Sequence, residues 1–403
     1  MISLNISYKV YEKSEQIMVN NNINNTLVNN KNTEKINIKN DSKLPVKPAK
    51  VNYQKELEKI LKKVEEEGTC PSLLLHSCCG PCSSYVLEYL GQYFEITVFY
   101  YNPNIYPSEE YWYRVDEQKK IIDLTRARYP IHMIEGAYEV DRFYETIAGM
   151  EDLPEGGARC HMCYELRMSE AAKLAKEEGF DYFTTTLTIS PHKNSQVLNR
   201  IGQEVGERLG VRHLPSDFKK NNGYKRSCQL TSDFGMYRQD YCGCEYSMKE
   251  TMRRRKKKLR DDMKVLNEGL DLEYMVQADQ VIFDKLYRRP EYIDSRVIFT
   301  YAGRYPEINT LDFINKALGD VVAVPYCSDK ETMKAYEIQS TSHLLTNSFG
   351  VLEPDISICN ELDIDDIDLI LVPCCTADKK GARLGFGRGY YDRFLPKTRA
   401  EKL

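Results

Sequence analysis

Residues 72–91 read SLLLHSCCGPCSSYVLEYLG, an apolar run, a bend with three cysteines and one glycine, then apolar residues at helical spacing. A short run that is apolar on both faces and passes straight into a helix belongs in a buried parallel sheet. Working outward, EITVFYYN (95–102) reads as the next strand and SEEYWYRVDEQKKIIDLTRARY (108–129) as a helix. YELRMSEAAKLAKEEG (164–179) reads as a further helix and DYFTTTL (181–187) as a strand. Strands alternating with helices predict an α/β fold: a parallel sheet covered by helices on both faces. In such sheets ligands collect at the carboxyl ends of the strands, where Cys78 and Cys79 follow one strand and TISPHKN follows another.

The cysteines then define the chemistry. Seven of thirteen fall in three clusters: Cys78, Cys79 and Cys82; Cys160 and Cys163; Cys242 and Cys244. In a chain without secretory features, clustered cysteines point to metal ligands or redox thiols rather than to disulfides. A Cys-x-x-Cys spacing permits a tight turn onto one centre, whereas adjacent cysteines are expected to diverge, so Cys78 and Cys79 are read as serving two centres. Seven thiolates exceed the four that zinc needs, which favours an iron–sulfur cluster with a second metal or a redox dithiol. Cys70, Cys228, Cys327 and Cys359 stand alone and are expected to be buried small hydrophobes.

Composition sets the frame. A net charge of −4 over 403 residues gives no general attraction to polyanions, so any nucleic-acid surface must be local. No run of eighteen apolar residues occurs, and Lys9, Glu12, Lys13 and Glu15 interrupt the place of a signal peptide, so a cytoplasmic protein that neither spans a membrane nor is exported is expected. Eleven asparagines precede position 41. Residues 1–50 are therefore read as a disordered tail. A first domain over 51–247 and a second over 248–403, opened by the charged helix MKETMRRRKKKLRDDMK (248–264), complete the division.

HSCCGPC (76–82), YNPNIYPSEEYWYR (101–114), GARCHMCYELR (157–167), FTTTLTISPHKN (183–194), DFKKNNGYKRS (217–227) and YRQDYCGCEYS (237–247) together resemble the cobalamin-independent epoxyqueuosine reductases, the QueH family. The resemblance covers about residues 70–247 and implies a nucleotide-hydrolase-like α/β sandwich. It implies reduction of epoxyqueuosine to queuosine at the wobble position of a tRNA anticodon loop, with an unidentified electron donor. It also implies a 4Fe-4S cluster and an adjacent mononuclear iron, held among Cys78, Cys79, Cys82, Cys160, Cys163, Cys242 and Cys244. Many members carry Asp where Cys82 stands, so Cys82 as ligand to the second iron replaces a carboxylate with a sulfur. Removing an epoxide oxygen takes two electrons and an electrophile for the departing oxygen, and those metals suit both needs. Cys79, Cys82, Cys242, Tyr237 and Arg238 are the expected catalytic set. Tyr237, Arg238 and Gln239 would give the base a platform, Tyr101, Asn102 and Tyr111 further lining, and Lys219, Lys220, Lys225 and Arg226 phosphate contacts. His161 is expected to face solvent, and Ser190 or Asn194 to cap a helix or bind phosphate there.

The second domain carries LILVPCCTADKKGARLGFGRGYYDRFL (369–395), a strand, a loop and three glycines spaced by single residues. Such glycines let backbone N–H groups approach phosphates. With MRRRKKKLR (252–260), RYPEINTLDFINKAL (304–318), VVAVPYC (321–327) and GVLEP (350–354), the stretch resembles 5-formyltetrahydrofolate cyclo-ligase. That resemblance implies ATP and Mg2+ as cofactors and 5-formyltetrahydrofolate as substrate. It places Arg253, Arg260, Gly385, Gly387, Arg388, Gly389, Tyr391 and Arg393 at the nucleotide, Glu307 beside the folate and Asp392 on magnesium. Cys374 and Cys375 depart from the family's pattern, as do Thr376 and Ala377, and the sequence stops ten residues after Arg393, which reads as an incomplete sheet. One alternative is a zinc-stabilised RNA-binding module joined to an inactive folate-enzyme-like domain. A tRNA thiolation enzyme is disfavoured, because only Gly80 stands where a phosphate-gripping loop would be.

Overall fold

The computed structural model describes residues 50–317 and 320–398, so the expected tail, apart from Lys50, lies outside the described residues. These residues form two compact units that part between Arg253 and Arg254.

In the first unit, helix α1 (Tyr53–Glu67) is opened by Asn52, whose side chain accepts from the Lys55 N–H, and closed by Gly68 at φ 64°. Then follow β1 (Ser72–His76), α2 (Gly80–Leu90), β2 (Glu95–Tyr100), α3 (Ser108–Leu124), β3 (Ile131–Glu135) and α4 (Val140–Thr146). After them come α5 (Ala158–Glu177), β4 (Tyr182–Thr185), α6 (Ser195–Leu209), β5 (Arg212–His213) and α7 (Gly223–Asp233). The five strands pair in the order β3-β2-β1-β4-β5, all parallel. Along β1 the side chains alternate between the two faces. Leu74 packs with Ala171, Ala175, Leu198 and Ile201 on one side; Leu73 and Leu75 pack with Leu57, Val86 and Leu87 on the other.

Helix α5 starts six residues earlier than its apolar spacing indicates, at Ala158. Cys160 and Cys163 therefore lie in its first turns instead of a tight connecting turn, and with Arg167 they follow the i, i+3, i+7 spacing of one helix face. Gly80 opens α2 where a Cβ would stand 2.7 Å from the Glu117 carbonyl oxygen and 2.9 Å from Met236, so only glycine lets α3 approach this closely.

Helix α8 (Glu245–Glu268) contains the division between the units. The second unit continues with α9 (Leu272–Leu286), α10 (Pro290–Ile293), β6 (Val297–Phe299), α11 (Leu311–Ala317), β7 (Val321–Cys327), β8 (Met333–Ile338), β9 (Leu344–Thr346) and β10 (Leu352–Pro354). It ends with β11 (Asn360–Leu362), β12 (Leu369–Ile370), β13 (Thr376–Ala377), β14 (Arg383–Leu384) and α12 (Tyr390–Phe394). Its main sheet is mixed, in the order β11-β8-β7-β6-β12, with β6 parallel to β7 and β12. No helix among the described residues is long and apolar enough to cross a membrane.

Candidate active site

Chain direction brings the first cysteine group together. Leaving β1, the backbone bends at Cys78 and starts α2 two residues later, with Cys79 extended at the helix N-cap. The sulfurs of Cys78, Cys79 and Cys82 consequently lie within 4.8 Å of one another, and those of Cys78 and Cys79 are 3.8 Å apart. The expected divergence of the adjacent pair is thus corrected, because the bend reverses the alternation that a continuous strand imposes. About 3.8 Å is also the separation of two thiolates each about 2.3 Å from one tetrahedral ion.

Thiol–thiol hydrogen bonds from Cys79 and Cys82 hold Cys78 well below the usual thiol range. Burial, followed by the Cys78 contact, pushes Cys79 up to about 12. Cys82, which donates to both neighbours, is raised. A cation at this point would displace the two retained protons.

Cys160, Cys163, Cys242 and Cys244 are near enough for their charges to act on one another, and burial pushes Cys163 up to about 12. Cys78, Cys79, Cys82, Cys160, Cys163 and Cys244 all pack into the same apolar cluster. Backbone N–H groups reach two of the sulfurs, from Gly156 to Cys160 at 3.2 Å and from Ser247 to Cys244 at 3.4 Å. Gly243 sits at φ 130°, and a Cβ there would meet Arg114 Nη1 and Ile105 Cγ1 at 3.1 Å.

Cations frame both groups, Arg167 and Arg114 buried and Lys193 half-buried. Arg167 is 1% exposed; its Nη1 donates to Asn102 Oδ1 at 3.0 Å and to Asn104 Oδ1 at 3.1 Å, while its Nε and Nη2 find no acceptor among the described residues. Its guanidinium acts on Cys163, Cys242 and Cys78. Arg114 donates to Glu110 at 2.7 Å and leaves Nη2 without an acceptor among the described residues. Burial opposes the Lys193 charge, but Cys242, Tyr164, Cys78 and Cys82 more than compensate and raise its pKa. The unpaired N–H groups of buried Arg167, whose charge interacts with those thiols, fit an anionic, sulfur-rich metal group, since a buried cation without a counter-charge is costly. Sequence reasoning missed Lys193 and Arg167, although Arg167 is a basic residue one helical turn from Cys163 on the same face.

The expected base platform is partly committed elsewhere. The Tyr237 hydroxyl donates to Glu110 at 3.2 Å, its N–H to Glu117 at 2.8 Å, and Arg238 reaches Thr231 at 3.1 Å over the Tyr224 ring. Tyr101, Asn102 and Tyr111 are buried, and Asn102 clamps Arg167 and the Ser77 carbonyl. Lys219 pairs with Asp217 at 2.9 Å and Arg226 with Glu88 at 2.6 Å, whereas Lys220 and Lys225 are exposed. Asn194 caps α6 through Gln196 N–H at 3.0 Å, and Ser190 accepts from His192 N–H at 3.3 Å. His161 is half-buried. Of the four isolated cysteines Cys359 is buried, Cys228 and Cys327 are half-buried, and Cys70, in the link before β1, is exposed, against the expectation that it is buried.

In the second unit, Arg260 Nε donates to the Gly385 carbonyl at 2.8 Å, and a Cβ on Gly387 (φ 105°) would stand 3.2 Å from that guanidinium. Gly389 (φ 72°) opens α12, and a Cβ added there would stand 2.9 Å from Arg393 Nη1; Arg388 lies 4.9 Å over the Phe349 ring. Asp392 is exposed and pairs with Arg383 at 2.9 Å. Burial raises the Glu307 carboxyl, and its charge acts on Tyr391, whose buried hydroxyl finds no partner among the described residues. Cys374 and Cys375 feel the same carboxylate. Arg253 belongs to the first unit and Arg260 to the second.

Comparison with known families matches residues 73–250 to "Epoxyqueuosine reductase QueH" and residues 252–402 to the "5-formyltetrahydrofolate cyclo-ligase family". An epoxyqueuosine reductase QueH of Streptococcus pyogenes is 43% identical over 202 residues, 50% of this chain and 79% of its own. The chain belongs to the QueH family. It carries in addition a 5-formyltetrahydrofolate cyclo-ligase family domain. Among other relatives, the Staphylococcus epidermidis reductase is 43% identical over 50% of this chain and 87% of its own, and that of Thermotoga maritima 32% over 44% and 91%. A solved 5,10-methenyltetrahydrofolate synthetase of Aquifex aeolicus is 27% identical, covers 36% of this chain and 73% of its own, and aligns with a TM-score of 0.33.

Proposed function

We propose that the first domain, over about residues 51–247, reduces epoxyqueuosine to queuosine in a tRNA anticodon loop, and that the second, over about 248–403, closes 5-formyltetrahydrofolate with ATP and Mg2+ in the cytoplasm. The observation carrying the first reading is the tight trio Cys78, Cys79 and Cys82, packed in one apolar cluster with Cys160, Cys163 and Cys244, beside the buried Arg167 guanidinium with its unpartnered N–H groups. The tight trio Cys78, Cys79 and Cys82 suits a single iron with an open position, and the four thiols of α5 and the Cys242–Cys244 turn suit a 4Fe-4S cluster. When bound, these groups supply two electrons and a Lewis acid for the departing oxygen. The chain's own share is to exclude water through the apolar cluster, to offset thiolate charge with Arg167 and Lys193, and to orient the base beside Tyr237 and Arg238.

For the second domain, support comes from the Gly385–Gly389 segment held by Arg260 and Arg393, with Arg388 adjoining, as a cradle for ATP phosphates. Glu307, its carboxyl raised by burial, is the polar group for the folate, and Tyr391 stays with the nucleotide. Asp392 takes magnesium only after its pair with Arg383 opens.

Replacing Cys160 and Cys163 together with Ala is expected to abolish the visible iron–sulfur absorbance of anaerobically purified protein and its epoxyqueuosine reduction, leaving formyl-folate cyclisation intact. A variant that still reduces the base refutes this assignment, and a colourless wild type holding zinc without iron favours the RNA-binding alternative.

A further inference from the structure

We propose that the exposed rings of Trp112, Tyr113 and Tyr106 form a stacking platform for the unpaired anticodon-loop nucleotides beside the modified base. The inference rests on the tRNA reading above and adds the place where the loop is gripped. Trp112 is 54% exposed, Tyr113 48% and Tyr106 41%, three large rings left in water within eight residues. Tyr106 adjoins the thiol site through its backbone, and Tyr113 touches Tyr237. The Tyr106 N–H donates to the Gly243 carbonyl, between Cys242 and Cys244, at 2.9 Å; the Tyr241 hydroxyl donates to the Tyr106 carbonyl at 3.0 Å. The Tyr113 ring meets Tyr237 at 4.8 Å between centroids.

The Trp112 ring is also supported from beneath. Trp112 packs edge-on against Tyr111 at 5.0 Å, and the buried Tyr111 stacks on Tyr138 at 4.1 Å. A ring fixed below and open above offers its face to a partner at little entropic cost. Unpaired loop bases are such partners, because every base has a π-face and RNA loops are commonly read by stacking on aromatic side chains. Charge narrows the contact further. Glu109 and Asp116, exposed on the same helix, repel phosphates, so this helix meets RNA through base faces and its share of binding varies weakly with salt.

Trp112 is the chain's one tryptophan, so its emission reports on the platform alone. Titrating the full-length protein with an unmodified anticodon stem–loop hairpin RNA is expected to quench that emission. The same hairpin with abasic nucleotides flanking the wobble position should bind roughly tenfold more weakly and without quenching. Trp112→Ala and Tyr113→Ala should each weaken the intact hairpin by about tenfold yet bind the abasic hairpin as the wild type does, a coupling that misfolding would not produce. Trp112→Phe should keep most of the affinity. Hairpin binding with unchanged emission, absence of hairpin binding, or variants that bind the intact loop normally would overturn the platform. Should the rings couple to loop bases in a protein that does not reduce epoxyqueuosine, the platform stands and the functional reading falls. If Trp112→Ala instead reduces epoxyqueuosine with the wild-type kcat and KM, the functional reading stands and the platform falls.

Discussion

Gly243 separates two of the seven thiols and holds a φ of 130°, a region that side chains with a Cβ rarely enter. The space is closed as well, since Arg114 and Ile105 would both lie 3.1 Å from an added methyl. Gly243→Ala is therefore expected to cost about 1–3 kcal/mol and to misplace the Cys242 and Cys244 sulfurs. Denaturant titration with iron analysis of the same preparation measures both effects, and a variant with full iron and unchanged stability would contradict the argument. The Cys-Gly-Cys pattern was legible in the sequence, and the reason for its glycine was not. That reason lies in Arg114, 129 residues away along the chain and pressed against the turn by its contacts with Glu110 and Tyr241.

At the scale of elements, β1, α2, β2, α3 and β4 were readable from apolar spacing, because each buries a continuous face. The short β5, Arg212–His213, carries no such signal. Its identity comes from tertiary packing: the His213 ring sits against Gly202 of α6, 2.3 Å from where a Cβ would be, and edge-on to Phe183 at 5.2 Å. Burial lowers the His213 pKa to about 4. In the unfolded chain it titrates near its ordinary value of about 6.5, so between these values the unfolded state binds more protons. The stability linked to this residue is then complete above about pH 6.5 and is lost as pH falls towards 4. His213→Leu should remove that slope. Urea melts of both proteins at pH 4.5 and pH 7 test it: the stability difference between wild type and variant must change across the window, and a constant difference would exclude His213 as the source.

For the whole molecule, the two parts have separate hydrophobic cores, one built from residues up to Cys244 and the other from Phe283 onward. Mutations confined to separate cores are expected to respond close to additively, so each activity should tolerate damage to the other. Arg393 gives a direct test because two of its guanidinium nitrogens act as a clasp. Nε donates to the Glu331 carbonyl at 2.8 Å, and Nη2 to those of Lys330 at 3.3 Å and Arg388 at 3.1 Å. It therefore pins the glycine-rich segment to the loop after β7. Arg393→Ala should weaken ATP binding by roughly tenfold, the worth of about one to two kcal/mol of charge-assisted hydrogen bonding. Arg393→Lys separates clasp from charge, since an ammonium keeps the charge but not the planar fork. Calorimetric ATP titrations should place the lysine variant close to the alanine variant, and a lysine variant with wild-type affinity would mean that charge alone is used. Measured on the same preparations, epoxyqueuosine reduction should retain wild-type kcat and KM in both variants. A parallel fall in the two activities would show that the two cores do not act independently.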